Sequence, residues 1–186
     1  MVTWSQLLLP IALSAVFVFF ASTIVHMVVK WHNADYRKLP NEDEVRAVIR
    51  KGAPEPGEYI LPHCTHGKDA QTPEMAKKFE EGPIGVMYLR PNGAMKIGPF
   101  LMNWVLYTLA VSAMVAYIAQ FSLKSGAHYM DVFRLVGMTA WLAYSWMSPA
   151  DSIWKGKPWS ATFRYLVDGL VYGLVTAGTF GWLWPR

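Results

Sequence analysis

A chain of 186 residues is long enough for one domain, and its single cysteine, Cys64, excludes an internal disulfide. It is 53% hydrophobic, 15% aromatic and 16% charged, and the charges are segregated: residues 30–96 hold 11 of the 17 Lys and Arg and 10 of the 13 acids. The net charge of +4 belongs to a nearly balanced polar segment with a few flanking cations and argues neither for nor against nucleic acid; the expected partners include no nucleic acid.

The first apolar run, residues 5–29, is too long for a signal peptide and lacks a basic leading region, so it reads as a retained membrane anchor. His26 lies near its end, and Lys30, Trp31, Arg37 and Lys38 follow as interfacial anchors. The polar segment comes next. Asn41 can cap a short helix over residues 42–51, with acids in its first turn and Arg46, Arg50 and Lys51 towards its end, an order that suits the helix dipole. Three prolines at 54, 56 and 62 keep the following stretch extended. A second helix is expected over residues 73–81. The strand-like residues 84–90, the turn Pro91-Asn92-Gly93 and residues 94–97 then suggest a small hairpin. The segment has too few apolar residues for a large core of its own and is expected to lean on the membrane part or a neighbour.

Apolar runs at residues 98–121, 130–148 and 160–186 complete the pattern. The expected fold class is an all-α membrane protein with four transmembrane helices and a small mixed cytoplasmic segment between helices 1 and 2. The corresponding division is 1–29, first transmembrane helix; 30–97, polar segment; 98–186, three-helix transmembrane block. Lys and Arg close to the span ends favour an amino terminus and a carboxyl terminus outside, with residues 30–97 cytoplasmic: Lys30, Arg37, Lys38, Arg90, Lys96, Lys155, Lys157 and Arg164 would lie inside, and Lys124, Arg134 and Arg186 outside.

The last span carries most of the pattern. Residues 163–184 make roughly 33 Å of helix. Gly169, Gly173, Ala177 and Gly181 recur every fourth position and form a smooth stripe, the small-residue pattern that lets membrane helices touch backbone to backbone. Asp168 sits beside the stripe, an ionisable group that must be paired or turned from lipid. Arg164, one turn earlier, is its expected partner.

Four polar side chains should fall at similar depth on different spans: His26, Asn103, Ser145 and Asp168. Such a cluster would serve as a proton or ion site or as a ligand for a pigment, or would be interhelical packing glue. His63-Cys64-x-His66 puts three ligand types into four residues, whereas zinc takes four ligands in separated pairs; no metal site is expected there, and the loop is given no role. No nucleophile elbow, zincin, phosphate-loop or dinucleotide glycine motif is present, so no catalytic residues and no enzyme activity are expected.

The string Gly57-x-Tyr59-x-x-Pro62, the string Gly82-Pro83-x-Gly85 and the tail from Asp168-Gly169 through Thr176-Ala177-Gly178-Thr179-Phe180-Gly181-Trp182-Leu183-Trp184-Pro185 together resemble a family of uncharacterised bacterial four-span membrane proteins. The resemblance covers most of the chain and implies no activity. The chain also resembles small accessory subunits of photosynthetic reaction centre–light-harvesting complexes, and Tyr59-Ile60-Leu61-Pro62-His63 is similar to a stretch of the reaction centre H subunit. The small-residue stripe, the aromatic excess, the polar segment without a core of its own and the absence of a catalytic set lead to the expectation of a non-catalytic accessory or scaffolding subunit of a bacterial inner-membrane complex, photosynthetic or respiratory. Its partners would be other transmembrane subunits and lipids. It would have no cofactor of its own, only peripheral contact with lipid, quinone or pigment such as bacteriochlorophyll or carotenoid. The alternative expectation is a small proton-coupled transporter or ion-binding membrane protein using Asp168.

Overall fold

The computed structural model describes residues 2–186. Helix α1, Trp4–Thr23, runs without interruption into a π-helical segment, Ile24–Val29. A short 3-10 turn, Trp31–Asp35, follows. The polar segment holds α2, Glu42–Gly52; strand β1, Gly57–Leu61; a 3-10 turn, Asp69–Gln71; α3, Pro73–Glu81; and strand β2, Gly85–Leu89. Four helices complete the chain: α4, Ile97–Ser122; α5, Tyr129–Ser145; α6, Ser148–Lys155; and α7, Trp159–Leu183.

Three of these are long and apolar enough to cross a membrane: Trp4–Val29 and Ile97–Ser122, 26 residues each, and Trp159–Leu183, 25 residues. At 1.5 Å per residue they reach about 37–39 Å, more than a hydrocarbon core of about 30 Å. The expected span over residues 130–148 appears as α5, which is 17 residues, or about 26 Å. It stops at Ser145 because Pro149, four residues on, can neither donate to the Ser145 carbonyl nor avoid its ring clashing there. The chain turns at Trp146 and starts again as α6.

The chain divides into two compact units. The helical unit comprises the stretch through Tyr36, Lys96–Ser152 and Lys157–Arg186, so it includes His32 and Asp35, which lie past the expected boundary after Val29. Its core joins Leu7 and Ile11 of α1, Val111, Val115, Ala116 and Ala119 of α4, Val132, Val136 and Ala140 of α5, and Ala177 and Phe180 of α7. Polar ties run between the same helices. Ser112 of α4 donates to Ser14 of α1 at 3.3 Å, the Trp104 indole of α4 donates to Ser22 of α1 at 2.9 Å, and the Trp141 indole of α5 donates to the Leu166 carbonyl of α7 at 2.9 Å.

The small-residue stripe of α7 faces α5 along its whole length. A Cβ added at Gly169 would overlap Ser145. At Gly173 it would lie 3.0 Å from the Gly137 carbonyl oxygen and 3.1 Å from the Trp141 amide nitrogen, and at Gly181 it would lie 2.6 Å from the Tyr129 ring. Ala177 meets α5 at Gly137, where a Cβ would come within 3.1 Å of its own. Backbone-to-backbone approach is what such stripes permit, and here both helices belong to one chain.

The second unit, Arg37–Met95 with Ile153–Gly156, contains the sheet. The hairpin expected around Pro91-Asn92-Gly93 is not formed. Instead β2 pairs antiparallel with β1, from Gly57 opposite Leu89 to Leu61 opposite Gly85. Only three residues separate Gly93 from the start of α4 at Ile97, too few for a return strand. Helices α2 and α3 lie where the sequence places them, and Thr72 caps α3 by accepting from the Met75 amide at 3.3 Å. Beside the sheet, Lys155 donates to Glu58 and to the Tyr88 hydroxyl, both at 3.0 Å, and Tyr88 donates to Glu58 at 3.1 Å.

Candidate functional site

The site is made where the end of α1 turns back on the first turns of α7. The π segment carries His26, and the Lys30 amide closes it onto the Val25 carbonyl, five residues back, at 3.1 Å. Wide π turns of this kind recur at functional positions. Lys30 then takes a left-handed conformation, φ 55° and ψ 20°, which reverses the chain and sends Trp31–Asp35 back onto the helical unit. A side chain in that conformation costs about 1–2 kcal/mol, so the reversal is held by what it brings together.

It brings together four ionisable groups. His32 Nε2 lies 2.6 Å from Asp168 Oδ2, and His32 Nδ1 lies 2.6 Å from Asp35 Oδ2. Arg164, one turn before Asp168 on α7, donates to the other oxygen of Asp35. Asp168 is 2% exposed and His32 8% exposed. Both ring nitrogens of His32 face carboxylate oxygens, so two protons are shared among Asp35, His32 and Asp168. Wherever those two protons sit, the two carboxyl groups, the imidazole and the Arg164 guanidinium together sum to zero charge. That balance is what burial demands, since removing one partner of a buried ion pair costs about 3–5 kcal/mol.

The surroundings are aromatic and basic. His26 stacks on His32 with ring centroids 4.8 Å apart and planes 12° apart, and Tyr165 packs on His32 at 4.9 Å. His26 Nδ1 lies 3.0 Å from the Ser22 carbonyl oxygen. A carbonyl can only accept, so Nδ1 carries the hydrogen and Nε2 keeps a free lone pair. Lys157 Nζ sits 3.8 Å from the centre of the Tyr165 ring and donates to Ser148 at 3.1 Å. Burial pushes this ammonium below the usual lysine range, while Asp151 and Asp35 oppose the shift.

Asp168 also opens onto the bundle core. Its Oδ1 and the hydroxyl of Tyr172, one turn further along α7, are buried without a hydrogen-bond partner among the described residues. Thr176 continues the same face, buried, and Thr108 and Ser112 of α4 and Ser14 of α1 are buried in the same helical unit. The Tyr172 ring packs against those of Trp104, at 6.0 Å, and Tyr144, at 5.6 Å.

Of the four polar residues expected at one depth, His26 and Asp168 come together. Their ligand atoms and that of His32 lie within 4.8 Å of one another. Ser145 is buried on α5, donating to the Trp141 carbonyl at 3.0 Å and covering Gly169. Asn103 is exposed on α4. The expected pairing of Asp168 with Arg164 is replaced by two crossed contacts, Asp168 with His32 and Arg164 with Asp35. His32 and Asp35 were missed because both follow the first apolar run and read as loop. Their spacing of three within Trp31-His32-Asn33-Ala34-Asp35 was the available signal, since it puts an imidazole and a carboxylate on one side of a helical turn. Cys64 lies in its loop with Sγ 3.1 Å from the His66 carbonyl oxygen.

No family model, curated protein or solved structure matches this chain.

Proposed function

We propose that the chain is a small multi-pass membrane protein that binds a cation at the carboxylate–imidazole centre of Asp168 and His32, and that binding or moving this ion is its function. The observation that carries this reading is the 2.6 Å contact between His32 and a nearly fully buried Asp168 whose second oxygen has no hydrogen-bond partner among the described residues. Ionisable residues inside a membrane-embedded bundle are costly, and where they occur they usually mark ion or proton sites. The buried hydroxyls of Tyr172 and Thr176 give an ion or proton polar surroundings beyond Asp168. In this reading all four long helices cross the bacterial inner membrane, α5 at the short end of the workable range. Both termini are periplasmic, and the centre lies at the cytoplasmic face.

The test is cation flux in proteoliposomes, read with a pH-sensitive dye and a divalent-cation dye, for the wild type and Asp168→Asn. Asparagine keeps the shape and can still accept from His32. The expected result is flux in the wild type and its loss in the variant, with both eluting alike from a sizing column. Equal flux in both, or none in either, counts against the reading.

The competing proposal is the accessory subunit. Exposed Met102, Leu106, Met114 and Phe121 on α4 suit a neighbouring subunit as well as lipid. Gentle extraction from native membranes separates the two: a large pigmented assembly with stoichiometric partners favours the subunit, and a small colourless particle favours the ion-binding protein.

A further inference from the structure

We propose that the cation is a divalent transition metal, held by His26 Nε2, His32 Nε2 and Asp168. The inference rests on the ion-binding reading above and names its ligand. Three observations support it.

The first is the donor set. Two imidazoles and one carboxylate form a combination used for zinc and for ferrous iron, and disfavoured by magnesium and calcium, which take oxygen ligands. One ligand atom from each of the three residues, a ring nitrogen or a carboxylate oxygen, lies within 4.8 Å of the others. Bonds of about 2.0–2.1 Å at tetrahedral angles separate ligand atoms by about 3.3 Å, so the set needs to close by about 1.5 Å at its widest and to open slightly between His32 and Asp168. The near-parallel stack of the two rings must also break for both lone pairs to meet one ion. His26 is the exposed member and has the freedom to turn.

The second is the outer shell. A metal-bound histidine donates its other ring N–H to a carboxylate or a backbone carbonyl, which fixes the tautomer and aims the lone pair. Both histidines are already arranged this way. His32 Nδ1 faces Asp35 at 2.6 Å, with Asp35 held in turn by Arg164, and His26 Nδ1 faces the Ser22 carbonyl at 3.0 Å. His26 therefore presents Nε2, and His32 presents Nε2 once the proton it shares with Asp168 leaves.

The third is Asp168 itself, buried with Oδ1 unpartnered among the described residues. A metal ion would engage this carboxylate and displace the proton it now shares with His32. The exposed edge of His26 gives the ion a way in.

The experiment uses full-length protein in mild detergent, stripped with a chelator and titrated with Co²⁺, whose visible bands report coordination, then with Zn²⁺ in competition. One Co²⁺ per chain is expected, displaced by Zn²⁺ and not by a large excess of Mg²⁺ or Ca²⁺. His26→Ala should weaken binding by more than about 100-fold, and Asp35→Asn by about 10–100-fold with the stoichiometry kept. His26 is exposed, so its variant keeps the fold and stays informative if His32→Ala does not. The double variant His63→Ala/His66→Ala should bind as the wild type does. The proposal is overturned if folded wild-type protein binds no stoichiometric Co²⁺, or if binding follows His63 and His66 instead of His26. Asp168-dependent proton flux without metal binding would remove the metal and leave the ion-binding reading standing. Loss of both would remove both.

Discussion

Replacing Gly173 by alanine measures how closely α5 and α7 are packed. The new Cβ would lie 3.0 Å from the Gly137 carbonyl oxygen, 3.1 Å from the Trp141 amide nitrogen and 3.2 Å from Trp141 Cβ. The first two are main-chain atoms of a helix, so relief cannot come from turning a side chain. The helices must separate by about 0.5 Å to restore ordinary contact, and overpacking of this kind costs about 1–3 kcal/mol. At about 2–4 °C per kcal/mol for a chain of this size, the melting temperature should fall by several degrees. Gly173→Leu adds three further carbons at the same place and should prevent the two helices from docking. Gly178→Ala is the control, because nothing lies within 4 Å of its added Cβ. It should stay within about 0.5 kcal/mol of the wild type. The assay is unfolding in detergent followed by circular dichroism. Equal stability of Gly173→Ala and Gly178→Ala would refute the close approach.

Lys30→Gly should be neutral or stabilising by about 1 kcal/mol, since glycine accepts the left-handed turn, and Lys30→Val should lose at least as much; the same unfolding assay reads both. The Trp184 indole donates to the Lys124 carbonyl at 2.9 Å and pins the end of the chain to the link between α4 and α5. Trp184→Phe should cost about 0.5–1.5 kcal/mol and speed hydrogen exchange in residues 123–128. Beside the sheet, hydrogen bonds from Lys155 and Tyr88 hold the Glu58 carboxyl below the usual glutamate range. Its contribution is therefore full above the unfolded value of about 4.3 and is lost as pH falls through the lower folded value. Proteolysis near Lys155 should rise on acidification in the wild type, and be high and insensitive to that change in Glu58→Gln.

Much of this arrangement was legible in the sequence, and the limits were geometric. Periodicity located α2, α3 and the three long apolar helices, and the stripe Gly169-Gly173-Ala177-Gly181 announced a close helix contact. It could not say that the opposing surface was Gly137, Trp141 and Ser145 of the same chain, because a stripe reports its own face and not its partner. Hydropathy gives depth but not azimuth. Asn103 shares an expected depth with His26 yet points elsewhere on α4, and so stays outside the site. Asp168 stood out as a charge in an apolar run. Its partner His32 lies 136 positions away in a stretch that reads as loop, and only the left-handed turn at Lys30 returns it to the helices. The pairing of β1 with β2 was missed for a related reason. Asn92-Gly93 is a strong local turn signal, but the strand that β2 uses comes from before α3.

The most direct measurement of the central claim is a ¹⁵N spectrum of protein labelled at the ring nitrogens of its five histidines, recorded metal-free for the wild type, Asp35→Asn and Asp168→Asn. One histidine should respond to both substitutions, its Nδ1 signal moving with Asp35 and its Nε2 signal with Asp168. If no histidine senses both carboxylates, the buried carboxylate–imidazole–carboxylate centre does not exist, and the ion-binding function falls with it.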